Sequence, residues 1–106
     1  VGGNTALRIK TGDDQTTPIY LNTNRVGIGT SAPDSPLHIT NAASTGTASL
    51  KLEQLDDDEP FIRFQGTTAS DQTKSLSTDT SVGALTGHIR VSINGTDFWV
   101  PYYATN

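Results

Sequence analysis

The 106-residue chain contains no cysteine and no methionine, and it has a single tryptophan. The absence of cysteine excludes a disulfide scaffold, a thiolate zinc site and a cysteine nucleophile. No apolar run approaches the roughly 18 residues that a membrane-spanning helix needs, so we expect no membrane insertion. Basic residues number 7 against 11 acidic ones and are scattered, so the chain lacks the cationic surface that binds nucleic acid.

Large apolar residues are also scarce. Leu, Ile, Val and Phe together make up about a fifth of the chain, and Thr and Ser together outnumber them. A domain of this length buries a smaller fraction of its surface than a larger one, so its own core would be thin. We therefore expect a partner to supply the missing core, most simply another copy of the chain.

The chain does contain apolar residues at alternate positions, the pattern of strands with one buried face. This pattern predicts short strands at 7–9, 19–21, 26–28, 37–39, 50–52 and 62–64. Turn-forming residues separate most of these runs. No helical stripe extends over about 11 residues, although a short helical turn within 54–58 is an alternative. The predicted fold class is all-β.

The C-terminal part predicts a β-hairpin that turns at Asn94-Gly95. Asn-Gly between alternating runs favours a two-residue type I′ turn, in which both central residues need positive φ. The predicted cross-strand pairs are Ile93–Thr96, Val91–Phe98, Ile89–Val100, Arg90–Trp99 and His88–Pro101. Arg90 over Trp99 would add a cation–π contact. Because Pro101 lacks a backbone donor, we expect the second strand to fray or to lie at an edge there.

The sharpest break in composition is the run of four carboxylates at 56–59, which is followed by Pro60. We place a module boundary in this region. The predicted organisation is an N-terminal β module over 1–45, a linker with an acidic turn over 46–59, and a C-terminal β module over 60–106. The Thr- and Ser-rich stretch 66–83 predicts a long loop with a short strand around Leu76.

Residues 24–39 read NRVGIGTSAPDSPLHI. They resemble the N-x-VGIGT-x-x-P-x-x-x-LHV element of bacteriophage tail fibres and related virion or surface proteins. Residues 50–106 also resemble the C-terminal segments of phage-like structural proteins, with DEPFIRFQGT at 58–67 and GHIRVSINGTDFWVPYY at 87–103. The resemblance covers most of the chain. It implies elongated or interleaved β modules in a homotrimeric fibre that ends in a hairpin-containing C-terminal domain.

The resemblance also implies a function. The chain would be a structural virion protein, the C-terminal part of a tail fibre or similar appendage, acting on the virion or outside the cell. Its partners would be two further copies, other virion proteins and a host-surface glycan. Two structural alternatives are a capsid-attached fibre or decoration protein and a subunit of a bacterial surface filament. A third alternative is a small carbohydrate-active enzyme, in which Asp71, Asp79 and Asp97 would converge.

Candidate contact residues come from the VGIGT element and from the aromatic C-terminus. Val26 and Ile28 point to one side of their strand, whereas Gly27 and Gly29 leave the other side bare, so another backbone can approach closely. The candidate binding or interface residues are Val26, Ile28, Leu37, Ile39, Arg90, Trp99, Tyr102 and Tyr103. No catalytic residue and no cofactor is predicted.

The acidic run is a weak candidate for a metal site. Asp56, Asp57, Asp58 and Glu59 offer carboxylate oxygens, the ligands that calcium prefers. Their spacing lacks the EF-hand pattern, and adjacent carboxylates point in different directions on an extended chain. We therefore predict a solvated acidic turn, with calcium as the alternative. A symmetry axis through this segment would favour an ion, because the repulsion would then need a counterion.

Overall fold

The computed structural model describes residues 7–105, which form strands, turns and irregular segments. The strands are β1 (Leu7–Lys10), β2 (Thr16–Leu21), β3 (Val26–Ile28), β4 (Leu37–Ile39), β5 (Thr68–Ala69), β6 (Leu76–Ser77), β7 (Leu85–Ile93) and β8 (Thr96–Tyr103). No helix occurs in this range, so the described chain has no helical segment of the length and apolarity that would cross a membrane. The all-β prediction is confirmed. The chain divides into two units, Val1–Phe61 and Ile62–Asn106.

The first unit contains a four-stranded sheet in the order β1-β2-β3-β4. Its first two pairings are antiparallel, and β3 pairs with β4 in parallel. Residues paired across neighbouring strands project to the same face of a sheet. The register therefore collects the aliphatic residues on one face, which we name the apolar sheet face. It consists of Leu7, Ile19, Leu21, Val26, Ile28, Leu37 and Ile39.

The connection from β3 to β4 crosses the opposite face of this sheet, at Gly27. Gly27 and Pro33 are the two buried residues of the described range. A Cβ added to Gly27 would lie 3.5 Å from the Pro33 Cβ and would meet the carbonyl oxygen of Thr30. Arg25 holds the loop by donating from Nη1 to the Pro33 carbonyl at 3.1 Å. The backbone that approaches the bare side of Gly27 is thus the chain's own crossover loop.

Gly29, the residue after β3, is constrained differently from Gly27, because its φ is 79°. Its N–H donates to the Pro18 carbonyl at 2.8 Å, and Thr40 N–H donates to the Ile28 carbonyl at 2.9 Å. A Cβ on Gly29 would meet the carbonyl oxygen of Thr40. Glycine is the residue that accepts both the positive φ and the close backbone.

Two of the predicted strands, at 50–52 and 62–64, are wrong, because residues 40–67 contain no strand. In the described chain, a single backbone–backbone hydrogen bond joins two residues of 41–67. The Glu59 N–H donates it to the Asp56 carbonyl at 3.4 Å. The alternative helical turn at 54–58 is wrong too, since residues 56–59 form an ordinary turn. A segment with alternating apolar residues forms a strand only where another strand pairs with that segment.

The second unit contains the predicted hairpin, formed by β7 and β8. All five predicted cross-strand pairs are observed. Asn94 and Gly95 have φ values of 48° and 83°, as a type I′ turn requires. A separate parallel pair joins the two-residue strands β5 and β6, and β6 confirms the short strand predicted around Leu76.

Pro101 does not fray β8, which continues to Tyr103. In a two-residue hairpin the pair that flanks the turn is hydrogen-bonded, and bonded and non-bonded pairs alternate from there. Counted from Ile93–Thr96, the pair His88–Pro101 is non-bonded. The Pro101 nitrogen therefore faces the open edge of β8, where the missing donor breaks no bond of the ladder. The prediction of an edge position is right, and the prediction of fraying is wrong.

Candidate interaction surfaces

The apolar sheet face of the first unit is only partly covered, because its leucines are exposed and Ile19, Val26, Ile28 and Ile39 are half-buried. Leu7 is 60% exposed and Leu37 58% exposed, and the described residues include no buried large apolar side chain. Four predicted interface residues lie together on this face, namely Val26, Ile28, Leu37 and Ile39. The register of β1 and β2 adds members that the sequence interpretation left out, namely Leu7, Ile19 and Leu21. Their period-two signal was present, but their common face follows only from the strand pairing.

The hairpin has an apolar face of its own, which we name the apolar hairpin face. It consists of Ile89, Val91, Ile93, Phe98, Val100 and Tyr102. Phe98 remains 47% exposed, although Val91 stands opposite it. Tyr102 lies across the backbone of Gly87, because a Cβ on Gly87 would meet the Tyr102 hydroxyl. The ladder shifts by one residue between Leu85 and Gly87, so this glycine sits at a bulge.

The other face of the hairpin is polar and carries Trp99. The Trp99 side chain is 66% exposed, and its ring meets His88 edge-on with 6.3 Å between centroids. Arg90 pairs with the carboxylate of Asp97, at 3.5 Å, and not with the ring of Trp99. Since Tyr102 belongs to the apolar hairpin face, Trp99 and Tyr102 lie on opposite faces. The C-terminal aromatic residues therefore do not form one cluster.

Tyr103, the last predicted contact residue, lines a shallow hollow of about 180 Å³ in the second unit. Asp79 lies in the same lining. Its carboxylate accepts hydrogen bonds from the Ser81 hydroxyl at 2.6 Å and the Ser81 N–H at 2.9 Å, and these donors hold the pKa of Asp79 below its usual value. Gln72 adds a longer bond to the same carboxylate, at 3.4 Å. Asp79 thus serves as the acceptor that shapes its own turn.

We expect the hydrogen bonds of this turn to lower the measured pKa of Asp79. The pKa of Asp79 is lower in the folded chain than its ordinary value of about 3.9. The ionised carboxylate therefore stabilises the fold fully above that ordinary value, and this stabilisation is lost as the pH falls through the lowered pKa. Carboxyl ¹³C NMR should therefore give a midpoint below that ordinary value. In the control variant Ser81→Ala, the midpoint should rise toward it. An unchanged midpoint in the variant would contradict the assignment.

The acidic turn brings three of its four carboxylates together. One oxygen from each of Asp56, Asp58 and Glu59 lies within 4.8 Å of the others, whereas Asp57 is outside the group. The expectation that neighbouring carboxylates diverge is wrong, because it assumed an extended chain and residues 56–59 turn instead. All three side chains are exposed, and an exposed acidic group of this kind is common without an ion.

Comparison of the chain with models of protein families, with curated proteins and with solved structures finds no match. Two observations therefore bear on the function. One is the resemblance carried by residues 24–39, and the other is the pair of open apolar faces described above.

Proposed function

We propose that this chain is a structural virion protein, the C-terminal part of a bacteriophage tail fibre or a similar appendage. Three copies associate by burying their open apolar faces against one another. The assembled end is presented to a host-surface glycan, and other virion proteins hold the opposite end. The activity is binding, without covalent chemistry.

The observation that carries this proposal is the absence of a buried large apolar side chain among residues 7–105. Monomeric proteins rarely expose contiguous apolar patches of more than a few hundred Å². Association removes such surface from water at about 25 cal/mol per Å² of apolar area. The VGIGT resemblance at residues 24–39 supports the narrower assignment to a fibre with three chains.

The polar hairpin face supports the glycan-binding part of the proposal. An exposed aromatic ring beside hydrogen-bonding groups is the arrangement on which sugars stack. Trp99 offers the ring, and Arg90 and Asp97 offer charged hydrogen-bonding groups on the same face. Three copies would raise a weak affinity per site through simultaneous binding.

The local bonding of three carboxylates supports a role without catalysis. Asp71 accepts bonds from the N–H and hydroxyl of Thr73, which lower the pKa of Asp71, as Ser81 does for Asp79. Asp97 is paired with Arg90. A glycosidase acid needs a carboxyl whose pKa is raised.

Light scattering after size exclusion tests the proposal. We expect a mass of about 34 kDa, three times that of the 11.2 kDa chain. A stable monomer at all concentrations would contradict the proposal, and an open-ended series of masses would favour the filament alternative. Repeating the measurement in EDTA should leave the mass unchanged, because the acidic turn is proposed to be solvated. Dissociation by EDTA would instead assign a cation to that turn.

A further inference from the structure

The tip of the hairpin holds an asparagine that is followed directly by a glycine. This dipeptide occurs once in the chain, at Asn94-Gly95. The turn accounts for both residue types, because each position needs a positive φ, and the two φ values are 48° and 83°. The turn does not account for the side-chain amide of Asn94, which is a reactive group beside a main-chain nitrogen.

Neither of these two groups is held by a hydrogen bond. Within residues 7–105, the Asn94 side-chain amide has no hydrogen-bond partner, and the Gly95 N–H has none either. In a two-residue loop the last bonds of the ladder join the pair that flanks the turn, here Ile93 and Thr96, so the Gly95 N–H lies outside the ladder. Both turn residues are exposed, so water reaches them.

The space around Gly95 allows the amide and the nitrogen to meet. Apart from the chain neighbours of Gly95, no heavy atom lies within 4 Å of the point that a Cβ would occupy. Without a side chain, the glycine neither crowds its own nitrogen nor restricts the local backbone. The two groups meet when the peptide unit turns about the Asn94 Cα–C bond. That rotation opens the pair Ile93–Thr96, which is exposed on both strands and is the last pair of the hairpin.

We infer that Asn94 is a site of spontaneous deamidation, with Gly95 as the internal nucleophile. The Gly95 nitrogen forms a bond to Cγ of Asn94, the Cγ–Nδ2 bond breaks, and Nδ2 leaves as ammonia with the proton that the Gly95 nitrogen gives up. Water then opens the resulting cyclic imide at one of its two carbonyl carbons. In sum, a water molecule is consumed and an ammonia molecule is released, without oxidation or reduction. The reaction does not depend on the proposed assembly.

The two ways of opening the imide have different consequences for the hairpin. Opening at the side-chain carbonyl leaves aspartate, which also favours a type I′ turn before glycine. Opening at the main-chain carbonyl leaves isoaspartate, whose main chain runs through Cβ and Cγ and is longer by one atom. Because the two-residue loop sets the register, the longer chain breaks the pair Ile93–Thr96. Both products add a negative charge to the net charge of -4.

Peptide mapping of the full chain tests the inference. The protein is held at about pH 8, because the attacking nitrogen must lose its proton, and mass spectrometry of its peptides follows the gain of about 1 Da at each asparagine. We expect Asn94 to lose its amide at least about tenfold faster than Asn41, the internal reference. Asn41 is also exposed, but Ala42 follows it, and its amide donates to the Thr47 carbonyl at 2.8 Å. Equal rates at the two asparagines would overturn the inference.

A pair of variants tests the role of Gly95 as the nucleophile. Gly95→Ala places a Cβ beside the attacking nitrogen, and we expect the loss of the Asn94 amide to become at least about fivefold slower. Gly12→Ala also adds a Cβ in open space, but far along the chain from Asn94, and should change that rate less than about twofold. A Gly95→Ala chain that loses the amide as fast as the Gly12→Ala chain would contradict attack by this nitrogen.

The two products, separated by chromatography, test the consequence for the hairpin. We expect the aspartate form to keep the nuclear Overhauser contact between the amide protons of Ile93 and Thr96, and the isoaspartate form to lose it. An isoaspartate form that keeps this contact would overturn the predicted loss of register.

Discussion

Replacing Gly29 by alanine is expected to destabilise the first unit by about 3 kcal/mol, with two physical contributions. A residue with a Cβ loses roughly 1–2 kcal/mol in the left-handed region, where Gly29 lies with a φ of 79°. The Cβ also meets the carbonyl oxygen of Thr40, and relieving such crowding costs about 1–3 kcal/mol. Urea unfolding followed by far-UV circular dichroism measures the loss.

Three other glycines make this experiment a controlled one. Gly27 lacks the positive φ but has the crowding, because its Cβ would meet Thr30. Gly46 has a φ of 73° with open space around the added Cβ, and Gly12 has neither constraint. The loss in the free energy of unfolding should therefore be largest for the alanine variant of Gly29, intermediate for those of Gly27 and Gly46, and near zero for that of Gly12. A Gly12 variant as damaged as the Gly29 variant would contradict this account.

Replacing Phe98 by aspartate is expected to weaken the assembly of copies by about 3 kcal/mol, roughly a hundredfold in the dissociation constant. Phe98 stands opposite Val91 on the apolar hairpin face and is 47% exposed in the single chain. If a neighbouring copy covers this face, the substitution places a charge in the contact without a partner. Sedimentation equilibrium over a range of concentrations gives the change.

The matched control lies on the same hairpin. Ser92 is two positions from the turn on the polar face and stands opposite Asp97, so Ser92→Lys adds a charge beside a carboxylate of opposite sign and leaves the apolar hairpin face untouched. We expect its effect to stay within about 0.5 kcal/mol, the usual range for surface substitutions. A Phe98→Asp effect equally small would mean that water, and not another copy, covers this face.

The strands that could be predicted from the sequence are those whose partners are close along the chain. The hairpin of β7 and β8 follows from Asn94-Gly95 between alternating runs, since a two-residue turn sets the later pairs as far as the bulge at Gly87. The strands of the four-stranded sheet follow from alternation between turns. Their shared face could be located only after the pairing was known.

The features that could not be predicted depend on what a segment meets in space. The alternation at 50–52 has the same form as that at 26–28, yet the first has no partner strand among residues 7–105 and the second has two. Sequence indicated that something would approach Gly27 but not that Pro33 would do so. The convergence of Asp56 with Glu59 required the geometry of the turn.

The topology of the sheets has a consequence for how the protein matures. Each strand bonds to a strand next to it in sequence, in all three sheets. Such local connectivity keeps the loop-closure entropy small and makes folding fast. We therefore expect each chain to form its strands quickly and to keep its apolar faces uncovered until it associates with other chains in a slower step. If the chains assemble as proposed, we expect the rate of maturation to depend on protein concentration and not on the speed at which a chain folds.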